Sequence, residues 1–201
     1  AKNLAFILPA GKYIGNSRYK DVFAASAVAD LTSFRNHWGA ETSLDVELYR
    51  PVARYELVAK DVATFLNKLS TGGLKGESFT ARVKYSDYLP TGYNLWDDVS
   101  KNSLMYMEYK VPFERPADGT KELILGFDYV LTDAGETVSI PVELEILNEK
   151  NEVLARTAFR IPCERGKNTT VRGNFLTSDA NGGIGIDPDY DGDLEVDLGE
   201  L

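Results

Sequence analysis

Phe79-Thr80-Ala81-Arg82-Val83-Lys84-Tyr85 places an apolar residue at every odd position and a polar one at every even position. A strand turns successive side chains to opposite faces. This period of two therefore puts Phe79, Ala81, Val83 and Tyr85 on a buried face and Thr80, Arg82 and Lys84 on the other. The pattern recurs on both sides. Leu44, Val46 and Leu48 alternate with Asp45, Glu47 and Tyr49, and after Pro51 come Ala53, Tyr55 and Leu57. Toward the C-terminus the stripes are Met105 to Phe113, Leu123 to Leu131, Val138 to Ile146, Val153 to Ile161, Val171 to Phe175, and Leu194, Val196 and Leu198. Asp133-Ala134-Gly135, Asn148 to Asn151 and Cys163 to Asn168 read as the turns between them. Short strands at this spacing, with no helix among them, predict antiparallel β-sandwich architecture.

One segment breaks the period. Val62, Phe65, Leu66 and Leu69 have the spacing of one helical face, with Asp61 as a predicted N-cap and Gly72-Gly73 as the stop. Pro90 to Asn102 mixes turn formers with Trp96 and carries no sustained alternation, so it reads as a boundary. The expected fold is all-β: two tandem antiparallel β-sandwich domains, residues 1–100 and 101–201, with one short helix in the first. That first domain has few strands for a complete sandwich, so the missing strands are either lost upstream or supplied from elsewhere.

The charge of −9 is unevenly placed, with 12 basic and 11 acidic side chains in residues 1–100 against 10 and 20 in the rest. There is no basic stripe, so nucleic acid is not an expected partner. No apolar run approaches the ~20 residues of a membrane helix, and no signal peptide is visible at Ala1-Lys2-Asn3-Leu4. The single Cys163 forms no internal disulfide and reads as an incidental thiol. His37 is the one histidine, and neither a Gly-x-Ser-x-Gly elbow, a Walker loop nor a Gly-x-Gly-x-x-Gly string occurs. No catalytic residue and no cofactor is expected, and the chain reads as non-enzymatic.

Two clusters invite a binding reading. Asp187, Asp189, Asp191 and Asp193, with Gly192, match the first half of a calcium loop. Leu198 stands where the bidentate glutamate belongs, and a strand pattern follows where a helix should, so a solvated acidic turn without metal is the preferred reading. Tyr88, Tyr93 and Trp96, beside Asp97-Asp98, form a possible platform for stacking sugars. Aromatic anchors at a domain junction are the plainer reading of the same residues.

Several strings together resemble a known family. Asp21-Val22-Phe23-Ala24-Ala25-Ser26, then Val46 to Arg54, then Arg165 to Thr177, then Ile186-Asp187-Pro188 before a Tyr-Asp-Gly turn are similar, in this order, to the core of fimbrillin-like proteins. These are the type V pilin superfamily of the Bacteroidota. The resemblance spans residues 21–192. It implies tandem sandwich domains, export as a lipoprotein and display at the outer membrane, with the membrane reached only through a lipid anchor. It also implies a role as cell-surface adhesin or fimbrial (pilus) subunit, with other subunits or host surface components as partners. Leu194 to Leu198 is a strand that such an assembly either donates to a neighbour or keeps at its own edge.

Overall fold

The computed structural model describes residues 3–5, 13–178 and 194–197. Its strands are β1 (Asn3–Ala5), β2 (Val52–Ala59), β3 (Ser78–Tyr85), β4 (Leu89–Asn94), β5 (Val99–Leu104), β6 (Glu108–Glu114), β7 (Leu123–Leu131), β8 (Thr137–Asn148), β9 (Val153–Glu164), β10 (Asn168–Gly173) and β11 (Leu194–Asp197). Among the described residues one α-helix, α1 (Val62–Ser70), joins β2 to β3, and two three-residue 3-10 turns precede β2. The class is all-β.

The opening stripe becomes β3, whose burial alternates as its sequence does. It is an interior strand of the sheet ordered β6-β3-β8-β9. A second sheet runs β11-β10-β2-β7, and a third is β1-β4-β5. Among the described residues all pairings are antiparallel except β10 with β2, which is parallel from Asn168 opposite Arg54 to Gly173 opposite Ala59. The first two sheets share one core. Tyr55, Leu57 and Val171 from one meet Phe79, Val83, Leu144, Ile146 and Phe159 from the other, and Val62, Phe65 and Leu66 of α1 seal its end.

The strands do not sort at residue 100, where two domains are expected to meet. β2 lies between β7 and β10, and β3 lies between β6 and β8, so both central strands of the first half take partners from the second. The strand deficit of residues 1–100 is made good from the same chain. The expected boundary is itself a hairpin, β4 with β5, in which Leu89 faces Leu104 and Asn94 faces Val99.

Further expectations change. Leu44, Val46 and Leu48 are exposed and lie in no strand, because nothing among the described residues offers their backbone an edge beyond the Ala24–Tyr49 bridge. Met105 to Met107 is a turn, with Tyr106 at φ 59°, and β6 begins after it. In β7 the odd-numbered stripe Leu123 to Leu131 does not stay on one face. The pairing with β2 shifts between Leu57 and Val58, opposite Gly126 and Ile124, and a bulge of this kind reverses which side chains face inward. Leu125 and Val130 enter the main core, whereas Tyr129 and Leu131 form a second cluster with Val52 and Tyr93 of the hairpin. Gly126, at φ 153°, sits at the shift, where a Cβ would press on Val111 and Tyr109.

Asp61 precedes α1 as expected, but its carboxylate does not cap the helix. It accepts from the backbone N–H groups of Leu176 (3.0 Å) and Thr177 (2.9 Å), fixing the segment after β10 against the helix start. Cys163 lies in β9 rather than a turn, and burial pushes its thiol up to about 12, consistent with an inert side chain.

Candidate functional site

The hairpin β4–β5 distributes the three aromatic residues nominated for sugar stacking. Tyr88 and Trp96 are exposed at opposite ends of the six-residue β4, roughly 20 Å apart at the rise of an extended strand. Tyr93, between them, is 1% exposed and faces inward. The three therefore do not make one platform. The physical cause is that Tyr93 lies in the paired body of the hairpin, whereas Tyr88 and Trp96 lie in the segments that flank β4.

Tyr93 belongs to a rim cluster. Its hydroxyl donates to Asp98 Oδ1 (2.6 Å), Tyr49 does the same (2.7 Å), and Arg165 donates to both carboxylate oxygens (2.6 and 2.8 Å). The guanidinium also lies over the Tyr49 ring, 4.3 Å from its centre. The hydrogen bonds from Arg165 hold the Asp98 carboxyl well below the usual carboxylate range, and burial with the Asp98 bond raises the Tyr93 phenol. This clamp fixes the β4–β5 turn to the β9–β10 turn. It is a structural use of Asp98.

At the other end of the hairpin, the turn Ser86 to Tyr88 lies beside Met105 to Met107, since Tyr85 N–H donates to the Met107 carbonyl (2.9 Å). Between them opens a cleft of about 250 Å³ lined by Lys84, Tyr85, Ser86, Tyr106, Met107, Glu108 and Glu143. Tyr106 is 87% exposed at its mouth. Lys84 donates to Glu143 Oε1 (3.0 Å) at its wall. An accessible aromatic face beside carboxylates and an ammonium suits a polyhydroxylated ligand. Tyr106 escapes the sequence reading because it occupies the polar phase of an apparent strand; its left-handed φ is visible only once the turn is built.

A third feature is the excursion from Ala25 to Leu48. Ala24 and Tyr49 bridge at its neck through two backbone hydrogen bonds (2.8 and 2.9 Å). Between them the chain carries one 3-10 turn, Thr32–Phe34, and exposes Val28, Leu31, Trp38, Leu44, Val46 and Leu48. Trp38 is 98% exposed.

The fourth is interior, and sequence reasoning missed it. Asp128 of β7 is wholly buried, and so, within 2%, is Lys20 of the 3-10 turn Arg18–Lys20. The Lys20 ammonium contacts Asp128 Oδ1, which also accepts the Tyr129 backbone N–H (2.8 Å). Oδ2 accepts hydroxyl bonds from Tyr13 and Tyr85, each 2.6 Å, and Lys20 Nζ donates to the Tyr13 oxygen (2.6 Å). Each phenol has one proton. Tyr85 spends its proton on Asp128, so Tyr55 donates to Tyr85 (2.6 Å) and Tyr109 to Tyr55 (3.2 Å). The network thus ties both sheets to the segment before β2. Gly15 permits that segment to lie on Tyr109, because a Cβ there would be 2.3 Å from the ring. The available signal was a lone aspartate within Leu-Ile-Leu-Gly-Phe-Asp-Tyr-Val-Leu.

Asp187, Asp189, Asp191 and Asp193 lie outside the described residues. Among the described residues no group of three or more His, Cys, Asp or Glu side chains is placed to hold a metal, and no helix is long and apolar enough to cross a membrane.

No curated protein matches the chain. Among solved structures, it is similar to a candidate cell adhesion protein from Bacteroides ovatus at 12% identity. The alignment covers 63% of this chain and 41% of that one with a TM-score of 0.36, too weak a likeness to establish a shared fold or role. A family match is extensive, taking in residues 1–199 and hence all the strands described above: the chain belongs to the family of unknown function DUF6562.

Proposed function

We propose that the chain is a non-enzymatic cell-surface adhesin or fimbrial subunit, exported and attached to the outer membrane, that acts through contacts with other subunits or with host surface components. The observation that carries this reading is the 24-residue excursion Ala25 to Leu48. Loops of this length without their own sheet are uncommon in compact domains and are mostly functional. Here a rigid two-sheet base holds the loop by its neck, and its tip offers Trp38, Leu31 and Val28 to solvent. Water-exposed aromatic and aliphatic groups in one segment favour a protein partner that removes them from water. Beads coated with the purified chain should attach to epithelial cells. Beads carrying a variant in which Ser26 to Glu47 is replaced by a short Gly-Ser bridge should attach several-fold less. Equal attachment by the two overturns the loop as the binding element, and failure of intact producing cells to be labelled by antibody overturns surface display.

Fimbrial assembly has separate support in the edges. β1 adds three residues to β4, and β11 adds four residues to β10. Short edge pairings are the pairings most readily exchanged between subunits. β11 pairs here within its own chain. Deleting Gly192 to Leu201 tests exchange: a folded monomer that no longer assembles supports donation, and a chain that no longer folds makes β11 purely structural.

A second reading is a surface lipoprotein binding carbohydrate, favoured by the cleft at Tyr106. Tyr88 and Trp96 remain accessible to glycans, whereas Tyr93 does not. Glycan-array signal that disappears in Tyr106→Ala supports this reading, and an array without signal removes it.

A further inference from the structure

Lys20 and Asp128 are out of contact with solvent, lie against one another, and come from segments 108 positions apart in the sequence. Removing two opposite charges from water costs several kcal/mol per ion, which their attraction offsets only in part. A covalent amide between the same two side chains has no such cost. We propose that after folding Lys20 and Asp128 join in an isopeptide bond, Nζ to Cγ, which cross-links the segment before β2 to strand β7.

The surrounding groups supply each requirement of the condensation. The nucleophile is a neutral amine, and burial pushes the Lys20 amine below the ordinary lysine value, against the opposing pull of Asp128. Protons leave Nζ along a path already made: Nζ donates to the Tyr13 oxygen, and the Tyr13 hydroxyl donates to Asp128 Oδ2. One transfer along that relay gives an amine beside a carboxylic acid protonated on Oδ2. Attack of Nζ on Cγ then places negative charge on Oδ1, where the Tyr129 backbone N–H, 2.8 Å away, stabilises it. A second proton follows the same relay to Oδ2, the Cγ–Oδ2 bond breaks, and Oδ2 departs as water while Oδ1 returns to a carbonyl. Of the three ammonium hydrogens, one stays on the amide nitrogen and two leave in the water. Tyr85, also 2.6 Å from Oδ2, assists that departure as a donor. Holding the reacting groups in contact replaces a bimolecular encounter with a unimolecular step. No oxidant, metal or further reactant enters the balance.

The wild-type chain, denatured after storage, should have an intact mass lighter than its sequence by one water. Trypsin should fail to cut after Lys20 and should release a branched peptide joining the Lys20 and Asp128 segments. Lys20→Arg, which keeps the charge but lacks the amine chemistry, should have the full sequence mass. Tyr13→Phe should leave a larger fraction of chains uncross-linked at a given time, because it breaks the relay while keeping the ring. A wild-type chain at full sequence mass that is cut after Lys20 overturns the proposal. So does a water loss that maps to other residues, or one that survives in Lys20→Arg.

Discussion

Two clusters in this molecule are built from the same parts. Asp128 accepts two tyrosine hydroxyls, from Tyr13 and Tyr85, and one cation, Lys20. Asp98 accepts two tyrosine hydroxyls, from Tyr49 and Tyr93, and one cation, Arg165. The difference is water. The Asp128 side chain has no exposure, whereas that of Asp98 is 43% exposed. A group removed from the interior cluster leaves its partners without hydration, and a group removed from the rim leaves room for solvent to replace it. Identical chemistry should therefore have unequal energetic weight, and the substitutions below test that inequality.

Asp128→Ala should have the largest effect. Measured against chains in which the Lys20–Asp128 amide has not formed, it strands the Lys20 ammonium and two phenols in the core, and breaking a buried pair from one side costs about 3–5 kcal/mol. Urea unfolding followed by tryptophan fluorescence measures it. A loss no greater than that of Asp98→Ala would remove the distinction between the clusters. Tyr85→Phe comes next. It deletes a donor to Asp128 and the acceptor of Tyr55 while keeping the ring against Tyr13 and Tyr109. The loss should be about 1–3 kcal/mol, that of leaving buried polar groups short of a partner.

Glu145, on the outer face of the β6-β3-β8-β9 sheet, gives an intermediate case. Burial alone raises its pKa, but hydrogen bonds from Lys84, Arg82 and Arg156 outweigh that and hold it down to about 2. A carboxylate depressed in the folded state adds stability that is complete above the ordinary glutamate value of about 4.3 and is lost as pH falls toward 2. The cations are partly exposed, so the pH-dependent part should be about 1–2 kcal/mol after solvent screening. Glu145→Gln should flatten the stability curve between pH 4 and about 2; an unchanged curve would show that the cluster contributes nothing there.

How much of this was legible in the sequence depends on how far each signal is local. Phe79 to Tyr85 and the stripes of β2, β8 and β9 read correctly because period two is a property of a few neighbours, and α1 did so because period 3.6 is too. Leu44 to Leu48 shows the limit: alternation is necessary for a strand, but a strand also needs an edge, and no short-range pattern reports that. The parallel pairing of β10 with β2 is invisible for the same reason, and with it the failure of the chain to divide at residue 100. Of the site residues, Tyr88 and Trp96 are accessible, which neither the stacking reading nor the anchor reading of the sequence established. Tyr93 was grouped with them because the three are near in sequence, although the strand turns Tyr93 inward. The Lys20–Asp128 cluster joins five elements, and only a single anomaly, an aspartate among apolar neighbours, marked it in advance.

The smallest expected effect belongs to Tyr49→Phe, the counterpart of Tyr85→Phe at the rim. The same single oxygen is lost, and Asp98 again loses one of its two phenolic donors. Here, however, Arg165 still donates to both Asp98 oxygens, and the carboxylate reaches water directly. The ring stays beneath the Arg165 guanidinium, so the cation–π contact is retained. The Ala24–Tyr49 bridge at the neck of the exposed loop is made by backbone atoms and does not depend on the hydroxyl. A solvent-compensated hydrogen bond of this kind is worth about 0.5 kcal/mol. Because the neck is preserved, bead attachment should equal that of the wild type. A loss in unfolding free energy as large as that of Tyr85→Phe would mean that the rim clamp is as closed to water as the core, and burial would then not be what separates the two clusters.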